Sequence, residues 1–67
     1  MAYARDWLKK LRLTRGLSQR DLAAKIGITD AFYCFIETGE RRPSPETAKK
    51  LADLLGVDWT RFYDDIE

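Results

Sequence analysis

The sequence predicts an all-α fold, a five-helix orthogonal bundle in a single domain over residues 1–67. Three observations carry this expectation. Apolar residues recur at three- and four-residue spacing in one segment after another. Ser, Thr or Asp opens these segments (Ser18, Thr29, Ser44, Asp58), and Gly16, Gly27 and Gly56 close three of them. No alternating strand pattern competes.

The first helix is expected from about Ala2 to Thr14, on Trp7, Leu8 and Leu11 with Tyr3 or Ala4 one turn earlier. Arg15-Gly16 ends it, because glycine takes the left-handed conformation cheaply. Ser18 caps the second helix and Asp21 sits three residues on, a capping box with Asp in place of Glu or Gln. Leu22, Ala23 and Ile26 form its apolar stripe, and Gly27 breaks it. Thr29 caps the third helix, with Asp30 in the first turn where a negative charge is favoured. That helix reaches about Glu37, and Ile28, Tyr33 and Ile36 are its inward set. Ser44 caps the fourth helix and Pro45 takes its first position, where a missing N–H costs nothing. Ala48, Leu51, Ala52 and Leu55 are its buried face. Asp58 caps a short last helix holding Trp59, Phe62 and Tyr63.

Composition narrows the function classes. Apolar content of 45% is ordinary for a globular chain. No apolar run is long enough to span a bilayer and no signal peptide is visible, so no membrane partner is expected. The lone Cys34 excludes an internal disulfide framework and fits a reducing, cytoplasmic setting. There is no histidine, no phosphate-cradling glycine loop and no evident carboxylate pair. An enzyme is therefore not expected, nor a metal or other cofactor. Charge is uneven: residues 1–50 hold 11 Lys/Arg and 6 Asp/Glu (+5), and residues 51–67 hold 1 and 5 (−4). A basic body with an acidic end suits an anionic partner on one side.

Residues 18–43 are the most informative stretch: two short helices joined by a tight turn, with a basic loop after the second. This is the layout of a helix-turn-helix DNA reader. With LKKLRLTRGLSQRDLAAKIGI, IETGERRPS and TAKKLADLLGVDWTRFY in this order and spacing, the chain resembles the Cro and phage-repressor (lambda-repressor-like) helix-turn-helix family over roughly residues 8–63. The resemblance implies sequence-specific binding of operator DNA, usually by dimers, in a repressor or controller type of transcriptional regulator. It implies that Gln19 holds a backbone phosphate and that Arg12 and Glu37 form an inter-helix salt bridge. It also implies that Thr38, Arg41 and Arg42 lie in a phosphate-contacting loop. Asp30, Ala31 and Phe35 fall where the family places its main base-reading side chains. There the chain departs from the family, whose members usually carry amides, hydroxyls or arginines.

The residues support part of this by their own chemistry. Gln19 belongs to the first turn of a helix, where backbone N–H groups and the dipole attract phosphate. Arg41 and Arg42 are adjacent forks suited to phosphate, Arg20 and Arg15 are weaker candidates of the same kind, and Lys9, Lys10, Lys49 and Lys50 read as solvated helix faces. Arg12 with Glu37 reads as structure rather than binding surface. The candidate base-reading residues are Thr29, Asp30, Ala31, Phe32 and Phe35, in a stretch that contains no basic residue. Asp30 accepts from cytosine N4 or serves only as helix-start charge; Ala31 and Phe35 suit a thymine methyl. Phe32 and Phe35 are expected to be at least partly exposed, against a thymine-rich groove, a second copy or another protein, with Phe32 folding back on the second helix as the remaining option. Trp59, Phe62 and Tyr63 exceed what capping so small a core needs, which points to a two-fold dimer contact. A dimer would set two third helices in successive major grooves of a palindromic site. The alternative is a protein-interaction module, such as an antitoxin or anti-repressor, docking through Phe32 and Phe35.

Overall fold

The computed structural model describes residues 4–64. Four α-helices and one 3₁₀ helix follow in order: α1 Asp6–Thr14, α2 Gln19–Ile26, α3 Asp30–Thr38, α4 Pro45–Leu55 and the 3₁₀ helix Trp59–Tyr63. The fifth element is thus a tighter 3₁₀ helix rather than an α-helix. Helix α2 packs on α3 and on α4, α1 packs on α3, and the 3₁₀ helix closes against α4.

The local signals act as chemistry predicts. Ser18 Oγ accepts from the Asp21 N–H at 3.0 Å while the Ser18 N–H donates to Asp21 at 3.2 Å, a reciprocal box that opens α2. Those bonds from Ser18 hold the Asp21 carboxyl below its ordinary range. Thr29 Oγ1 accepts from the Phe32 N–H at 3.0 Å and Ser44 Oγ from the Thr47 N–H at 3.2 Å. Between α2 and α3, Gly27 takes φ +78°, a left-handed turn that lets the chain reverse with only Gly27 and Ile28 between α2 and the Thr29 cap.

Helix α1 starts later than the sequence suggests. The expected start at about Ala2, with Tyr3, lies outside the described residues; Ala4 and Arg5 are not helical. The Arg5 N–H donates instead to Glu37 O at 2.8 Å, so this backbone is tied to the end of α3. Leu8, Leu22, Tyr33, Ile36, Leu51, Leu55 and Phe62 form a fully enclosed core, with Phe32, Trp7, Leu11, Ile28 and Trp59 packed on its edge. Among the described residues, no helix is long and apolar enough to cross a membrane.

Candidate nucleic-acid interface

Helical geometry divides α3 into two faces. At 100° per residue, Tyr33, Ile36 and Glu37 point inward and are buried, whereas Asp30, Ala31, Phe35 and Thr38 are exposed with Cys34 half-buried between them. The outward face therefore presents an acid, a methyl, a phenyl ring and a hydroxyl, with no cation and no amide. Phe32 does not stand beside Phe35 as an exposed pair. It falls on the flank nearest Ile36 and packs on the core, leaving Phe35 as the exposed ring at 38%. Even that ring is partly covered, because the Arg41 guanidinium lies 5.9 Å from its centroid.

The buried edge of α3 carries a polar hub on Glu37. Its carboxylate accepts from Arg12 Nε at 2.8 Å, Gln19 Nε2 at 3.0 Å and the Tyr33 phenol at 2.7 Å. Burial pushes this carboxyl up, but the bonds from Arg12, Tyr33 and Gln19 and the Arg12 charge outweigh it, and the group titrates below its usual range. Arg12 also donates to Leu17 O at 2.7 Å, so one guanidinium ties α1, the α1–α2 turn and α3. The hub orients Gln19: a carboxylate only accepts, so the amide nitrogen faces Glu37, leaving its second hydrogen for another acceptor.

Beside the hub, Ser18, Gln19 and Arg20 face Asp30, Ala31 and Cys34 across a shallow groove between the start of α2 and the outer face of α3. Arg20 Nε lies 3.8 Å from Asp30 on the surface. So loose and exposed a pair contributes little to stability, though it sets a cation beside the one acid of the α3 face. After α3, Thr38 Oγ1 donates to Phe35 O at 3.1 Å, and Arg41 and Arg42 are exposed.

Three cations are placed otherwise than the sequence suggests. Arg15 Nη2 donates to Leu55 O at 3.1 Å, closing the end of α4 rather than reaching outward. Lys49 sits 4.9 Å over the Trp59 ring rather than on a plain solvated face. Arg5, unmarked by any sequence pattern, is buried, and its guanidinium donates to the carbonyls of Ile36, Arg41 and Phe62. Those partners are backbone atoms 31, 36 and 57 residues away, so no spacing rule points to them.

The aromatic end is also corrected. Phe62 is completely buried, edge-on to Trp7 at 5.0 Å, and is not available to a partner. Trp59 and Tyr63 stay half-buried, edge-on at 6.0 Å, with the Tyr63 hydroxyl donating to Pro43 O at 2.8 Å.

The family model described as helix-turn-helix (HTH_3) matches residues 8–62, which contain α2, the turn and α3 as well as the flanking helices. The chain belongs to this helix-turn-helix family. An uncharacterized HTH-type transcriptional regulator of Bacillus subtilis, YqaF, is 45% identical over 62 residues, covering 92% of this chain and 82% of that protein. The control protein C.MunI of Mycoplasma is 38% identical, covering 90% of this chain and 82% of its own length. Among solved structures, an HTH_3 family transcriptional regulator from Vibrio cholerae superposes with a TM-score of 0.70 at 34% identity, covering 92% of this chain and 35% of that one. A shorter match, 37% identical over 51 residues, is to a cyanate hydratase of Synechococcus and spans 34% of that enzyme.

Proposed function

We propose that this chain regulates transcription by binding double-stranded DNA sequence-specifically, with α3 in the major groove. The observation that carries the reading is the outward face of α3, backed by the Arg12–Glu37–Gln19–Tyr33 hub, which holds both helices of the motif at a fixed angle. Membership of the family and the regulator names among the relatives support it.

In this reading Gln19 gives its free amide hydrogen to a phosphate, aided by the exposed N–H groups opening α2. Thr38, Arg41 and Arg42 hold the next backbone segment, and Arg20 reaches a phosphate beside Asp30. Thr29, Asp30, Ala31 and Phe35 face the base edges. Ala31 and Phe35 favour thymine methyls and Asp30 favours cytosine N4, while Phe32 supports Phe35 from behind. The longest extent of the described residues is 30 Å, short of the 34–36 Å between successive major grooves. Reading a palindromic operator thus calls for two copies, paired through Trp59 and Tyr63. The lone Cys34, which cannot close an internal disulfide, suits work in the cytoplasm.

Selection of bound duplexes from a random pool, followed by titration at two salt concentrations, tests the proposal. A recovered motif whose affinity falls steeply with salt supports it. Binding without sequence preference, or none at low salt, sinks it. The protein-docking alternative through Phe32 and Phe35 is weakened, because Phe32 packs on this chain's own core.

A further inference from the structure

We propose that Arg5 is a positioning residue for the DNA-backbone contact, acting through Arg41; this rests on the reading of Arg41 as a phosphate contact. Arg5 precedes α1, remote in sequence from the motif, and is 97% buried, its relative exposure being 3%. Its backbone N–H donates to Glu37 O and its guanidinium to Ile36 O; both carbonyls belong to the last turn of α3, where Ile36 O also accepts from the Gly39 N–H at 3.3 Å. The same guanidinium reaches Arg41 O at 3.2 Å and Phe62 O at 3.2 Å. A cation at that end of a helix is also favoured by the dipole.

The consequence falls on Arg41. Its N–H donates to Phe35 O at 3.1 Å, its carbonyl accepts from Arg5, and its guanidinium lies over the Phe35 ring. The residue is thus pinned on both sides of its Cα although its side chain is exposed. A loop arginine ordered before binding loses less entropy on meeting a phosphate than one that must be ordered by it. Arg5 supplies that order without touching DNA.

The test compares the salt dependence of duplex binding for the wild-type chain, Arg5→Lys, Arg41→Ala and the double variant, each well below its melting temperature. Arg41→Ala is expected to lower the slope of log K against log salt by about 0.9, a change of about three- to fourfold between 50 and 200 mM salt. Arg5→Lys keeps a buried cation and three N–H donors, but places them on one nitrogen instead of the spread fork that reaches Ile36, Arg41 and Phe62. It is expected to lose affinity at both salt concentrations, through the cost of ordering Arg41 on binding, and the double variant to lose no more than Arg41→Ala alone. Amide exchange should show Arg41 deprotected in Arg5→Lys while α2 and α4 stay protected. Losses that add in the double variant, or an Arg5→Lys chain with unchanged affinity, overturn the proposal and leave the reading of Arg41 intact. Failure of Arg5→Lys to fold also overturns it, in favour of a purely structural guanidinium. An unchanged Arg41→Ala overturns both.

Discussion

Tyr33 donates its phenol hydrogen to Glu37 Oε2 at 2.7 Å, onto the oxygen that also accepts from Arg12 Nε at 2.8 Å. Burial, and then the bond to Glu37, push the phenol above its ordinary range, so it stays a donor wherever the fold survives. Because one carboxylate joins α1, α2 and α3, a change at its edge acts on the whole motif. Tyr33→Phe removes a hydrogen bond to a charged group, which costs about 1.5–3 kcal/mol. Glu37→Gln leaves the Arg12 charge buried without its counterion, at about 3–5 kcal/mol. Urea denaturation should rank wild type, Tyr33→Phe and Glu37→Gln in that order.

The same hub sets an acid dependence. The folded Glu37 carboxyl lies below its ordinary value of 4.5, so the folded state binds this proton more weakly than the unfolded chain. Its contribution to stability is complete above about pH 4.5 and is lost as pH falls through the depressed folded value. Asp21 and Asp58 shift in the same direction, held down by bonds from Ser18 and Thr60 respectively. The Glu37 share is therefore the difference between wild-type and Glu37→Gln stability curves. That difference should shrink on acidification below pH 4.5; a constant difference contradicts the assignment.

Gln19 and Arg42 separate neutral from charged backbone contact. Gln19→Ala should weaken binding to every duplex alike without altering the salt slope, since a neutral amide releases no counterion. Arg42→Ala should lower the slope by about 0.9. Fluorescence titrations over a salt series read both, and equal slopes for all three proteins would remove Arg42 from the interface. Gln19→Ala also takes a donor from Glu37, so its stability should be measured alongside.

The frame of this fold is legible because its signals are local. Ser18 and Asp21, Thr29, Ser44-Pro45 and Gly27 each act within a few residues, and the spacing of Leu51, Ala52 and Leu55 alone names a buried face. Periodicity also exposes Asp30, Ala31 and Phe35. It does not decide the flank: Phe32 sits between core and solvent, and what its neighbours offer determines its side. For a similar reason spacing does not place Phe62 inside: only the position of Trp7 shows how much aromatic surface the core absorbs. Arg5 was invisible because it binds carbonyls, which every residue carries.

Phe35→Gln distinguishes an apolar reader from a docking ring. Phe35 is exposed and its ring meets the Arg41 guanidinium at the surface, so its loss should cost little stability, under about 1 kcal/mol. A DNA reader should then select a different base at the position that Phe35 faces, replacing a thymine by the adenine that a glutamine recognises. Sequencing of duplexes selected by the two proteins reads this. An identical motif from both shows that Phe35 does not face a base.

Asp30 carries the sharpest test of the reading code, because its charge opposes DNA while its oxygens suit cytosine. Its place in the first turn of α3 is worth about 0.3–1 kcal/mol through the helix dipole, so Asp30→Asn should fold with a small loss. Removing the charge also frees Arg20, now 3.8 Å away. Affinity for all duplexes should therefore rise, and non-specific binding with it. If Asp30 accepts from cytosine N4, the selected site must change as well, because asparagine pairs preferentially with adenine. A motif that stays the same while overall affinity rises would assign Asp30 to helix initiation alone. Sequence choice would then rest on Ala31 and Phe35.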